Sequence, residues 1–163
     1  MLKELAAEWG FKIHCHDDVD GAKLLIAIAQ VESSGGTNAI PRHEQAYSIG
    51  GYYYRNAKHV RVLFKEWGDW AACSYSSWQI MFITATELGY TGTPIDLRKD
   101  HIAIPYVVKY LNVRAFDKES FKKDPRSSLD KAADAYNSGS YADKNIPEDY
   151  IAKVKAAYIG VTA

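Results

Sequence analysis

The sequence predicts a mainly α fold of about six or more helices, and three observations carry the prediction. Apolar residues recur at helical spacing in one segment after another, Ser, Asp or Asn stands where several of these segments begin, and Gly stands where they end. At 163 residues the chain fits one domain, 1–163, that buries roughly 70% of its unfolded surface with no metal or disulfide to staple it. No alternation is long enough for a large sheet, and there is no repeat, low-complexity tract or linker.

Leu2, Leu5, Ala6 and Trp9 share one face of a first helix that Gly10 stops. Asp20 can cap the second, with Val19 and Leu24 placed as a hydrophobic staple. From Ala22 to Val31 this helix is apolar nearly all round, which suits a core element, and Gly35 and Gly36 end it. Thr37 to Arg55 has no sustained period and reads as an ordered excursion, with room for a small hairpin in 37–55, since Tyr52-Tyr53-Tyr54 favours strands. Asn56 to Trp67 is helical up to Gly68. Ser76 or Ser77 can cap a helix through Trp78, Ile80, Met81, Ile83 and Leu88, ended by Gly89. Asp100 to Phe116 is a helix with Pro105 in its first turns. Ser127 or Ser128 opens another, closed by Asn137-Ser138-Gly139, and Pro147 begins the last, with Tyr150, Ile151, Val154 and Ala157 inward.

Lys plus Arg (20) equals Asp plus Glu (20), and no basic stripe develops, which argues against a nucleic-acid partner. No apolar run approaches the roughly 18 residues of a membrane span, and the N-terminus lacks the pattern of a signal peptide. A soluble monomer made in the cytoplasm is expected. Two cysteines, Cys15 and Cys73, allow no disulfide framework. His14-Cys15-His16-Asp17-Asp18 has metal-ligand types, but in an extended segment alternate residues point apart and no second ligand pair is evident, so neither metal nor cofactor is expected.

One residue stands out chemically. Glu32 closes the greasy second helix, half desolvated, and desolvation raises the pKa of a carboxyl group, as suits a general acid near neutrality. It belongs to three segments that set polar atoms where a helix end or buried face should be apolar: Glu32-Ser33, Ser77-Trp78-Gln79-Ile80-Met81 and Ala135-Tyr136-Asn137-Ser138-Gly139. Their types and order resemble the lytic transglycosylases of the goose-type, lysozyme-like superfamily. That family carries Glu-Ser, then Gly-Leu-Met-Gln-Ile-Met followed by Thr-Ala, then Ala-Tyr-Asn-x-Gly. Here Ser76-Ser77-Trp78 replaces Gly-Leu-Met, Thr84-Ala85 follows, and the interval 33–75, with Pro41-Arg42-His43-Glu44, is longer than usual. The resemblance spans 20–160 and is closest to a phage-type branch.

The resemblance implies a lysozyme-like domain that cleaves the β-1,4 bond between N-acetylmuramic acid and N-acetylglucosamine in peptidoglycan. Glu32 is then the general acid, with Tyr136 beside it to orient its carboxyl. Gln79 and Met81 line the cleft, and Ser33, Glu44, Tyr47, Ser77, Trp78 and Asn137 complete the expected substrate contacts. Tyr52 and Tyr53 are further stacking platforms. A lytic transglycosylase needs one acid, because the substrate's N-acetyl and 6-hydroxyl groups supply the rest. A hydrolytic muramidase needs a second carboxylate, for which Glu44 is the first candidate and Asp69, Asp134 and Asp143 follow. Glu44 has an alternative role, an ion pair with Arg42. A non-catalytic wall-binding or virion structural protein is the competing class. An enzyme of this kind would reach the wall as a phage endolysin or aboard a virion.

Overall fold

The computed structural model describes residues 1–16, 18–142 and 145–161. Asp17 of the metal-like cluster and Asp143 among the candidate carboxylates lie outside them. The chain is mainly helical. Among the described residues nine α-helices surround one small antiparallel sheet: α1 (Leu2–Gly10), α2 (Gly21–Ser33), α3 (Tyr52–Asn56), α4 (Lys58–Trp67), α5 (Phe82–Glu87), α6 (Asp100–Leu111), α7 (Glu119–Lys123), α8 (Ser128–Ser138) and α9 (Glu148–Gly160). None is long and apolar enough to cross a membrane.

The apolar helix α2 lies in the core, with Leu24, Leu25, Ala27, Ile28 and Ala29 fully buried. The Asp20 side chain caps it by accepting from the Lys23 N–H, and Ser34, in the left-handed region, stops it one residue ahead of the expected glycines. α1 and α9 flank it. Gly10 and Gly21 let α1 and α2 meet backbone to backbone: a Cβ on Gly10 would stand 2.4 Å from the Ala22 nitrogen, and one on Gly21 would stand 2.2 Å from the Gly10 carbonyl.

The largest departure from expectation lies between α4 and α5. In place of a helix opening at Ser76 or Ser77, β2 (Cys73–Tyr75) and β3 (Ile80–Met81) form a hairpin, and α5 begins only at Phe82. Ser76 and Gln79 have φ of 69° and 50°, which a right-handed helix excludes. The apolar run Trp78, Ile80, Met81, Ile83 is short and largely buried, and such a run has no period that separates helix from strand. β1 (Arg42–His43) supplies the outer strand, with Arg42 opposite Ser74 and Ser74 opposite Met81. The excursion thus contributes one strand, not a hairpin of its own, and Tyr52-Tyr53-Tyr54 is helical, in α3. The helix expected from Asn56 begins at Lys58 as α4, and Asn56 instead closes α3, with Ala57 between them. α6 runs out in a π-helical turn, Asn112–Phe116.

Candidate active site

A cavity of about 660 Å³ opens where the end of α2, the sheet, α5, α6 and the end of α8 converge. The rung Arg42, Ser74, Met81 crosses its floor, a direct result of the sheet register. Glu32, Glu44, Tyr47, Tyr53, Gln79, Met81, Tyr136 and Asn137 all line it. Ser33, Ser77 and Trp78 are buried behind it, and Tyr52 faces solvent.

Glu32 sits at the last turn of α2 with only 9% of its side chain exposed. Burial raises its pKa above the ordinary carboxyl value, against the opposing pull of Tyr150 and Arg42. The Tyr150 hydroxyl donates to Glu32 Oε1 at 2.8 Å, and Arg42 Nη2 stands 3.5 Å from Oε2. Tyr136, expected to orient this carboxyl, instead donates its hydroxyl to the Trp78 carbonyl at 2.7 Å. The orienting hydroxyl comes from α9. The sequence marks Tyr150 as inward-facing, but its partner lies 118 positions away, and no local pattern announces such a pair. Burial pushes both phenols far above their usual range, so each stays a neutral donor.

Glu44 takes the alternative role. Arg42 Nε donates to its Oε1 at 2.8 Å, so one guanidinium serves both carboxylates. Asp134 is fully buried and paired with Arg126, Asp69 is largely exposed, and neither lines the cavity.

The residues behind the cavity wall fix it in place. The Ser33 hydroxyl donates to the Ser77 carbonyl at 2.7 Å and accepts from the Gly36 N–H. Trp78 Nε1 donates to the Leu25 carbonyl at 2.9 Å, binding the hairpin loop to α2. Asp100, in the first turn of α6, accepts from both the N–H and the hydroxyl of Ser77. Gln79 is held as tightly. Its amide donates to the Ile40 and Ser76 carbonyls and its Oε1 accepts from Ser74. Both amide protons are therefore engaged, and one acceptor lone pair is left for a ligand. Two left-handed non-glycine residues in one loop store strain, which these bonds offset.

His43, Ser48 and Asp69 also come together, but not as a nucleophilic triad. Ser48 and Asp69 both meet Nε2 of His43, at 2.6 and 3.8 Å, whereas a triad needs its acid on the other ring nitrogen. Among the described residues no group of three His, Cys, Asp or Glu side chains is placed to hold a metal. What the cavity offers is one carboxyl group with a raised pKa, an arginine beside it, and aromatic and amide walls. That equipment can protonate a poor leaving group and neutralise the carboxylate so formed. Compared with protein-family models, curated proteins and solved structures, the chain gives no significant match.

Proposed function

We propose that this chain is a peptidoglycan lytic transglycosylase of the lysozyme-like superfamily, acting on the bacterial wall with Glu32 as general acid. One observation carries the reading: Glu32, the acid of the motif that resembles the family's, is a nearly buried carboxyl with a raised pKa lining a cavity large enough for sugar rings. Protonated Glu32 gives its proton to the glycosidic oxygen. The bond from that oxygen to C1 of N-acetylmuramic acid breaks, its electron pair stays on the oxygen, and the N-acetyl oxygen takes up the charge at C1. The 6-hydroxyl then attacks C1 and returns its proton to Glu32, so no water is consumed. Arg42 stabilises the Glu32 carboxylate between the two steps, and Tyr150 holds its orientation. Tyr47 and Tyr53, stacked with ring centroids 4.4 Å apart, offer a flat face to a sugar.

Glu44 supports a second reading, a hydrolytic muramidase, because it lines the same cavity. The single-acid reading is preferred because Arg42 already neutralises Glu44, which leaves it poorly placed to activate water. Mass spectrometry of the digested muropeptides separates the two, since an anhydro product is lighter than a reducing end by one water. Glu32→Gln is expected to fold and to lose roughly two to four orders of magnitude in rate, the usual worth of a placed general acid. Near-full clearing of purified peptidoglycan by that variant sinks the assignment. No clearing by the unaltered chain between pH 5 and 8 favours a wall-binding or virion structural protein.

A further inference from the structure

We propose that Arg114 forms a carboxylate-binding subsite in the cavity, apart from Glu32, that takes the peptide stem carried by the glycan strand. The proposal rests on the peptidoglycan reading above and adds to it a second recognition element for the same substrate.

The placement of Arg114 is a consequence of the π turn that ends α6, a distortion that recurs at functional sites. Asn112 turns inward and is pinned there, donating to the Lys12 carbonyl at 3.0 Å and accepting from the His14 N–H at 2.9 Å. Two residues on, Arg114 emerges into the cavity. Its guanidinium lies 5.9 Å from the ring centroid of Tyr110, and Tyr110 meets Tyr136 edge-on at 5.6 Å. A pair of aromatic rings therefore stands between this cation and the Glu32 end.

The arginines differ in how fully they are engaged. Arg126 is committed to Asp124, Asp134 and the Tyr141 carbonyl, and Arg42 to Glu44 and Glu32. Arg114 makes no hydrogen bond among the described residues. Its ionic contact is with Glu87 Oε2, at 3.7 Å and beyond hydrogen-bond reach. Glu87 is itself held by His59 Nε2 at 2.6 Å, so it steadies Arg114 without filling its donors. A guanidinium with its fork open in a cleft suits the bidentate capture of a carboxylate.

The neighbouring surface favours a peptide over a lone carboxylate. His59 and Glu87 also line an adjoining groove of about 640 Å³, which contains Val62 and Leu63 along with the cation of Lys58. Cavity and groove thus share His59 and Glu87 as a common wall. A stem peptide has the matching chemistry: small apolar side chains alternating with free carboxylates, on a chain that leaves the sugar through its lactyl group.

The test is calorimetric titration of the Glu32→Gln chain, which binds without turnover, with a disaccharide bearing a tetrapeptide and with the same disaccharide stripped of peptide. The peptide-bearing ligand is expected to bind about tenfold tighter, the worth of one charge-assisted pair. Adding Arg114→Gln removes that preference, and Arg114→Lys keeps part of it. Equal affinity for the two ligands, or a preference that survives Arg114→Gln, overturns the subsite and leaves the peptidoglycan reading intact. If neither ligand binds, that reading falls as well.

Discussion

Around Ser76–Gln79 nearly every polar side chain is engaged by the protein itself, whereas along Gln45–Asn56 aromatic side chains lean on one another and on solvent. The first region joins α2, α6 and α8 through the bonds of Ser33, Ser77, Trp78 and Tyr136. The second has no buried residue in its short helices, and Tyr52 stays 63% exposed. Both reach the cavity, one behind the acid and the other as the wall of stacked tyrosines. Bonds are dense behind Glu32 and local contacts are sparse along the tyrosine wall of the cavity.

The largest expected effect comes from breaking the clamped region. Trp78→Ala should cost about 3–5 kcal/mol of unfolding free energy, as for other fully buried tryptophans, and free the bond to Leu25. Chemical denaturation measures it, and a loss below about 1 kcal/mol would mean the loop is not the junction described. A smaller effect of opposite sign is expected at the acid. Because the folded pKa of Glu32 is raised, the folded state holds its proton more tightly than the unfolded chain does, and stability is lost as pH rises from the ordinary carboxyl range through the folded value. Glu32→Gln should therefore raise Tm at pH 7 relative to the unaltered chain. The gain should vanish below about pH 4, where both states are protonated. A gain that stays constant between those pH values would contradict the raised pKa. The smallest effect is reserved for the open wall: Tyr52→Ala should change stability by no more than about 0.5 kcal/mol, as for exposed surface positions. A cost near that of Trp78→Ala would erase the contrast between the regions.

How much of this could be read in advance depended on distance along the chain. The Asp20 cap acts three residues ahead, on the Lys23 N–H, and the Ser127 cap acts the same way on Asp130, so both were legible from local pattern. Glu32 was legible too, because an apolar helix ending in an acid is a local statement about burial. The Ser76–Gln79 turn was not, since its left-handed residues are a serine and a glutamine and only tertiary bonds hold them there. Trp78 looked like a cleft aromatic because it neighbours Gln79, but its indole faces the opposite way, into α2. Tyr136 lines the same cavity as Glu32, but its hydroxyl bonds to the Trp78 carbonyl. One hydroxyl can satisfy a carboxyl or a carbonyl equally well, and only the packing of α8 against the loop decides which.

The crossing of α1 and α2 has a consequence for the far end of the molecule. α2 runs from Gly21 to Ser33, so it reaches about 17 Å from the Gly10–Gly21 contact to Glu32. A helix is stiff along its axis, and a push at one end arrives nearly undiminished at the other. The two missing side chains at that crossing therefore act as a gauge block for the carboxyl group. A methyl added there would have to push α1 and α2 apart, which moves the helix that carries Glu32. The position of the Glu32 carboxyl would then depend on two glycines that never approach the cavity.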